Sequence, residues 1–496
     1  MIVPLEEAVA GTCGGKAGSL GALLRAGLPV PVGFVVPFAT YLTAVSEPDL
    51  GRPEEPGVAR QAIESLPPPV TLPVTFPVTF PVTPSATLAE ALARALEQLG
   101  DAPVAVRSSA SDEDTGQTSA AGRYESFLAV HGPDQVADAV RACWASLFSP
   151  RAVHHRRSGE PMMAVIVQRH LDAEVSGVMF TPGGGAEGAT EIEASWGLGP
   201  SVVGGTVTPD AYRVAADGSV TRTVAKKRTR LDRRGERLVT SEVPAHAQAA
   251  PVIDDATARH LATLGAEIAA VLGGPQDIEW AIADGHTWIL QSRPVTAAPP
   301  PNPARTAPDP SPGRTKAVTT PQPGSPQPGS PQPGSPQPGS PHPAGPPQSD
   351  RTQATASSPA RTQAAAPLPG PARTAATPPP PPPGLSRTPA KLTGTPGSHG
   401  TATGTARIVR GPRDFPRVRP GDILICPFTD PAWTPLLRIA AGVITETGGV
   451  LSHAAIVARE HAIPAVLDIP DATTRLHDDT LVTIDGTTGT VTTTSA

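Results

Sequence analysis

Residues 445–460 read TETGGVLSHAAIVARE. His453 follows the Gly448-Gly449 pair and opens an apolar run. An imidazole in this setting has three chemistries open to it. It can be a buried structural group, which needs a hydrogen-bond partner and no exposed nitrogen. It can be a metal ligand, but His461 is the nearest companion and the neighbouring chain offers no ligand cluster. It can be a nucleophile, set where helix N–H groups stabilise an incoming phosphate. The Gly-Gly turn, a candidate Ser452 cap and a helical run from 453 fit that third case.

Three other stretches carry groups suited to phosphate chemistry. GGKAGSLG, 14–21, sets Lys16 behind two glycines at a helix start. Glycines allow close backbone approach, helix N–H groups favour an anion, and lysine adds a mobile point charge. The order is not that of a Walker A loop, and a plain surface helix start is the competing reading. AVRSSASDED, 105–114, delivers Arg107 from a strand into a Ser-rich acidic turn. Its fork can grip phosphate oxygens, or simply pair with Asp112 or Glu113. QDIEWAIADGHTWILQSRP, 276–294, reads as a hairpin about Asp284-Gly285, with Glu279 on one strand and Gln291 and Arg293 on the other. Gln291 and Arg293 are two apart and share a strand face. A carboxylate and an amide oxygen on one wall can hold Mg²⁺, with the arginine on phosphate. A solvated polar strand face is the alternative.

The elements that must position these groups are partly legible. GLPVPVGFVVP and PVAVRSS are β-rich, KAGSLGALLRAG and AVRACWASLF look helical, and SATLAEALARALEQLG, 85–100, carries an apolar helical stripe. MMAVIVQRH and AEVSGVMFT read as strands paired with each other. The C-terminal stretch has strand-like GTARIV, GDILIC, AGVITE, AVL and LVTIDG, with candidate helices PAWTPLLRIA and HAAIVAREH between them. These patterns predict an α+β block at 1–298 and a small α/β block at 391–496.

Between the blocks the composition changes. The chain has 496 residues, 64 prolines and 3% aromatics. Residues 301–390 hold 28 of those prolines, with PQPGS repeating every five residues and PPPPPP at 378–383. With almost no large apolar side chains, 299–390 is expected to be a disordered, extended linker. PPPVTLPVTFPVTFPVTP, 67–84, has strand-like alternation broken by proline, and reads as an exposed insertion. The formal net charge is −6, so no nucleic-acid partner is expected. Cys13, Cys143 and Cys426 lie far apart and suggest neither a disulfide framework nor a zinc site. No secretory leader and no membrane-spanning run are read, so a cytoplasmic protein without a membrane partner is expected.

Taken in order, GGKAGSLG, VAVRSSASDEDTGQTSAAG, SGVMFT, IEASWGLG, DIEWAI and LQSRP resemble the ATP-grasp nucleotide-binding domain of phosphoenolpyruvate synthase and pyruvate phosphate dikinase. TETGGVLSHAAIVAREHAIPAV resembles the swivelling phosphohistidine domain of the same family, which includes rifampicin phosphotransferase. The resemblance implies that His453 receives phosphate. It implies that Lys16, Arg107 and Arg293 bind the phosphates of ATP, and that Glu279 and Gln291 lie on the Mg²⁺ side. It places Gln168 on the adenine-side strand and Glu193 in the same cleft. The implied reaction is attack of His453 on the β-phosphorus of MgATP with loss of AMP. Hydrolysis then yields orthophosphate and phosphohistidine, and the mobile domain carries the phosphoryl group to an acceptor.

The resemblance also has gaps. PQPGS repeats stand where rifampicin phosphotransferase places its antibiotic-binding domain, and the sequence ends just after the histidine block, where phosphoenolpyruvate synthase continues into a pyruvate-binding barrel. Neither acceptor domain is expected in this chain. The acceptor is left as an unknown small molecule or a separate acceptor protein. A nucleotide-binding or interaction protein that has lost phosphotransfer is the alternative of a different class.

Overall fold

The computed structural model describes residues 2–45, 56–64, 88–113, 124–149, 152–153, 161–183, 188–296 and 391–493. The expected linker and the 67–84 insertion lie outside these residues.

The N-terminal block is built on two antiparallel sheets. One has five strands in the order Val3–Pro4, Gly33–Val36, Met163–Arg169, Val104–Ala110 and Ser126–Val130. The other has six, in the order His286–Pro294, Gln276–Ala283, Val175–Phe180, Thr190–Trp196, Asp210–Val214 and Val220–Thr223. A separate hairpin joins Thr229–Arg234 to Arg237–Glu242.

The expected pairing of MMAVIVQRH with AEVSGVMFT is corrected here. Met163–Arg169 belongs to the five-stranded sheet and Val175–Phe180 to the six-stranded one. From Met163 to Gln168 and from Val175 to Phe180 every residue is buried. With apolar neighbours on both faces, the alternation that would assign a partner is lost. The chain crosses between sheets at residues 170–174, and the two strands end up in different halves of the block.

Helices fill the space around the sheets. In Asp255–Leu272, Ala258, Leu261, Leu264, Gly265 and Ile268 are buried on one face. Its N-terminus is capped by Asp254, which accepts the Thr257 N–H at 2.8 Å. It ends at Gly273, whose φ of 79° a glycine adopts without strain. Pro133–Ala145 and Leu88–Gln98 pack on the five-stranded sheet in a core with Val104, Val106, Val165 and Trp144. Helix Ala10–Arg25 contributes Cys13, Ala17, Leu20 and Leu23 to a second core shared with Ile166, Met179, Ile278 and Trp280. It therefore packs against strands of both sheets.

The C-terminal block carries a mixed sheet of eight strands. Its centre is parallel: Thr401–Ile408, Ile423–Cys426, Gly442–Thr445 and Ala465–Leu467 run side by side. Leu424, Cys426 and Val443 face one apolar cluster, and Ile423, Ile425 and Ile444 the other, so both faces of this short sheet are covered. Helix His453–Glu460 lies on the connection from Gly442–Thr445 to Ala465–Leu467. The helix expected over PAWTPLLRIA is a 3₁₀ turn, Pro431–Trp433, followed by a single helical turn, Thr434–Leu437. Both blocks fall within one compact unit. Cys13, Cys143 and Cys426 are buried free thiols. Among the described residues no helix is long and apolar enough to cross a membrane.

Candidate functional site

The hairpin Gln276–Ala283/His286–Pro294 closes through Asp284 and Gly285, with φ of 52° and 73°. Two positive φ values in a row are the signature of a type I′ turn, whose twist suits adjoining strands. Counted back from this turn without a break, Glu279 would face Leu290. A bulge after Glu279 supplies one extra residue on the returning strand, and Glu279 instead faces Gln291. Asp277 faces Arg293 one step further on. Directly opposed residues project to the same side. All four polar side chains thus share one face of the six-stranded sheet.

On that face the groups are joined. Gln291 Nε2 donates to Glu279 Oε1 at 2.9 Å. Arg107, from the five-stranded sheet, places Nη1 3.8 Å from Glu279 Oε2 and 3.4 Å from the Leu290 carbonyl. The bulge residue itself therefore takes part in bridging the two sheets. Arg293 donates to Asp277 Oδ2 through Nε at 2.9 Å and Nη2 at 2.7 Å. Burial pushes the Asp277 carboxyl up from its usual range, and the arginine works against that shift. Arg107 Nε is buried and lacks a hydrogen-bond partner. A buried guanidinium edge with no acceptor is costly in isolation, and an anionic ligand on this face would satisfy it.

Lys16 sits beside a break in its helix. Gly14 has φ 81° and ψ 166°, which interrupts Ala10–Arg25 and makes a new helical start behind it. Ser109 Oγ accepts the Ala17 N–H at 3.1 Å, as a cap would. A Cβ on Gly14 would lie 2.4 Å from the Ser109 carbonyl oxygen. Gly14 therefore serves close helix–strand packing as well as the break in the helix. Lys16 Nζ pairs with Glu113 at 2.6 Å, and the other Glu113 oxygen accepts the Ala110 N–H at 3.1 Å. Of the two acids considered for Arg107, Glu113 thus pairs with Lys16, and Asp112 accepts from the Tyr124 hydroxyl at 2.6 Å. Gln168 is 2% exposed and donates to the Pro31 carbonyl at 2.8 Å.

His453 lies beyond the C-terminal end of the parallel strand Gly442–Thr445 and is the first residue of its helix. Thr429 reaches it from beyond the neighbouring strand Ile423–Cys426. The Thr429 hydroxyl is 2.9 Å from Nδ1 and the Thr434 hydroxyl 3.3 Å from Nε2. At 4% exposure the ring is buried rather than displayed as a bare nucleophile. Ser452 occupies the cap position, but its hydroxyl donates to the Gly449 carbonyl at 2.7 Å and does not cap the helix. Sequence reading missed Thr429 and Thr434, because isolated threonines in PFTDPAWTPL carry no periodic signal. It also missed Asp277, which the two-residue spacing from Glu279 mirrors against Gln291 and Arg293.

Glu193 occupies the middle of the six-stranded sheet, opposite Val178, which is itself opposite Glu279. Two strand spacings put Glu193 about 10 Å from Glu279 along one row of the same face. Its carboxyl oxygens are held by the histidine block. The Val450 N–H donates to Oε1 at 2.6 Å and the Leu451 N–H to Oε2 at 3.1 Å. Burial pushes the Glu193 carboxyl up to about 7, against those two donors and Arg459. Around it Val178, Phe180, Val202 and Val207 pack on Leu451 and Ile456. Thr447 Oγ1 donates to the Gly205 carbonyl at 2.7 Å, Thr208 Oγ1 to Asp468 at 2.7 Å and Thr296 Oγ1 to Glu460 at 2.8 Å. Arg459, on the His453 helix, donates to the carbonyls of Gly397 and Val450 at 2.9 and 2.8 Å.

The donor set on the Glu279 face suits Mg²⁺. One carboxylate and one amide oxygen are hard ligands, and magnesium takes few protein ligands beside substrate phosphates and water. Among the described residues no group of three or more His, Cys, Asp and Glu gathers as a metal centre of its own.

A two-sheet antiparallel block is thus joined to a small α/β block that carries a histidine at a helix start. Residues 10–310 match the pyruvate phosphate dikinase AMP/ATP-binding domain, and residues 418–489, which include His453, match the mobile domain of PEP-utilising enzymes. The chain belongs to the phosphoenolpyruvate synthase and pyruvate phosphate dikinase family. It is 32% identical to a probable phosphoenolpyruvate synthase of Methanothermobacter thermautotrophicus, over 97% of this chain and 61% of that protein. It is 33% identical to one of Archaeoglobus fulgidus, over 96% of this chain and 56% of that protein. The prodigiosin synthesizing transferase PigC of Serratia marcescens is 35% identical over 58% of this chain and 32% of its own length. The chain thus spans little more than half the length of the two archaeal relatives.

Proposed function

We propose that the chain is an ATP-dependent dikinase-type phosphotransferase in which His453 carries the phosphoryl group. The reading rests above all on the imidazole. With Thr429 taking the Nδ1–H, Nε2 keeps its lone pair. That nitrogen attacks the β-phosphorus, the bond to the α-phosphate oxygen breaks, and AMP leaves. Water then attacks the terminal phosphorus of the pyrophosphorylated histidine, which releases orthophosphate and leaves phosphohistidine.

Lys16, Arg107 and Arg293 hold the phosphates, and Glu279 with the Gln291 amide oxygen holds the metal. A bound Mg²⁺ would offset charge on the phosphate oxygens. Displacement of the Lys16–Glu113 and Arg293–Asp277 pairings by phosphate is part of this reading, since both cations are engaged by carboxylates. Gln168 belongs to the adenine side. The acceptor is a small molecule or a separate protein. The names of the relatives span pyruvate chemistry and prodigiosin synthesis, which favours no single acceptor.

The test is incubation with β-³²P-ATP and magnesium. Acid-labile, base-stable label on the wild-type chain with AMP as co-product is expected. Equal label on His453→Ala, or no label on the wild type, overturns the proposal.

A further inference from the structure

Glu193 has no part in the scheme above, yet it is the most constrained carboxyl of the sheet face. Its 3% exposure and its two backbone amide donors show a group built into a contact. Those amides belong to the turn directly before His453. The turn is shaped to receive it: a Cβ on Gly449 would lie 2.2 Å from Glu193 Oε1 and 2.3 Å from Oε2. No side chain fits there, so a glycine at 449 and a carboxylate at 193 are complementary. Glu193 also shares its row with Glu279, across Val178. A rigid strand thus sets the distance between the proposed phosphate-binding face and the histidine turn.

We propose that Glu193 is a positioning residue: through the Val450 and Leu451 amides it holds the Gly449–Leu451 turn against the six-stranded sheet and so presents the His453 imidazole to bound nucleotide. The assignment rests on the phosphotransfer reading for its purpose, but not for its geometry. It replaces the cleft-lining role expected for Glu193 from sequence. Arg459 reinforces the contact from the histidine side. Its guanidinium is buried, with Nε and Nη2 lacking hydrogen-bond partners, and it interacts electrostatically with both Glu193 and Asp277. Val178 and Phe180 add the apolar part, packing on Leu451 and Ile456.

Two measurements on the full chain test this. Hydrogen exchange at the Val450 and Leu451 amides reads the contact without any chemistry. The rate of His453 labelling from β-³²P-ATP, against ATP concentration, reads its purpose. Glu193→Ala is expected to speed exchange at both amides at least tenfold. It should slow labelling at least tenfold at saturating ATP, with the half-saturating concentration within about threefold of wild type. Glu193→Gln keeps one acceptor oxygen and should fall between the two. Gly449→Ala, which presses a methyl group onto the carboxylate, should resemble Glu193→Ala.

Unchanged exchange in both Glu193 variants overturns the proposal. So does a tenfold rise in half-saturating ATP with exchange unchanged, which would return Glu193 to the nucleotide cleft. If Glu193→Ala loses its fold by circular dichroism, Glu193→Gln and Gly449→Ala decide. If even the wild type takes no label, the phosphotransfer reading fails, while the exchange result still decides whether Glu193 holds the turn.

Discussion

His453 has a hydroxyl near each ring nitrogen, and the two are not equivalent. Thr429 is 1% exposed and close at 2.9 Å, whereas Thr434 is at 3.3 Å. In the proposed scheme Thr429 accepts the Nδ1–H, and the looser contact at Nε2 is the one an incoming phosphorus displaces. Thr429→Val is therefore expected to slow labelling of His453 by about tenfold while leaving nucleotide affinity unchanged, at or below the range over which general acid–base groups act. Labelling rates and titration calorimetry with α,β-methylene ATP separate the two effects. Sequence reading found His453 because glycines, serine and a helical run surround it. It did not find the threonines, because their role depends on two neighbouring parallel strands ending side by side. Lys16 was legible as a cation at a helix start, but Glu113, its partner, lies 97 positions away.

At the scale of elements, the hairpin was readable and its consequence was not. Asp284-Gly285 announces the turn, and the parity of Gln291 and Arg293 announces a shared face. Only the bulge after Glu279 brings that face round to the carboxylates. A bulge has no composition of its own, so nothing along the chain marks Gln291, rather than Leu290, as the residue opposite Glu279. Strand pairing failed for a related reason, since fully buried strands do not advertise their partners. The helix break at Gly14 yields a prediction at this scale. Gly14→Ala forces a side chain into a conformation that glycine alone tolerates, with its methyl group overlapping the Ser109 backbone. The expected loss is about 3 kcal/mol or more of stability. Chemical denaturation would measure it, and Gly11→Ala, which has open space around it, is the control.

For the whole molecule, the contact between the blocks carries a pH dependence whose sign follows from Glu193. Burial in the folded chain raises its carboxyl to about 7 from an ordinary 4.5. The folded state therefore holds a proton more tightly than the unfolded chain. The contribution of this group to stability is fully present below the ordinary value and is lost as pH rises through about 7. The charged groups facing Glu193 are Arg459, which opposes the shift, and Glu191, which adds to it. Exchange at the Val450 and Leu451 amides, corrected for intrinsic rates, should be better protected at pH 6 than at pH 8. Glu193→Gln should flatten that difference. None of this was accessible from one strand's sequence, because Glu193 meets residues 257 and 258 positions further along.

The contacts described between the blocks have an uneven footing. Glu193, Val178, Phe180, Gly205, Thr208 and Thr296 all come from the six-stranded sheet or its connections. Lys16 and Arg107 approach from the other side, the latter across the seam to Glu279. Seating the imidazole thus falls to the six-stranded sheet, whereas the groups proposed to grip the nucleotide are divided between both jaws, with Arg293, Glu279 and Gln291 on the same sheet as Glu193. The jaw without a passenger can close or relax on its ligand, so substitutions at Lys16 or Arg107 need not unseat the histidine.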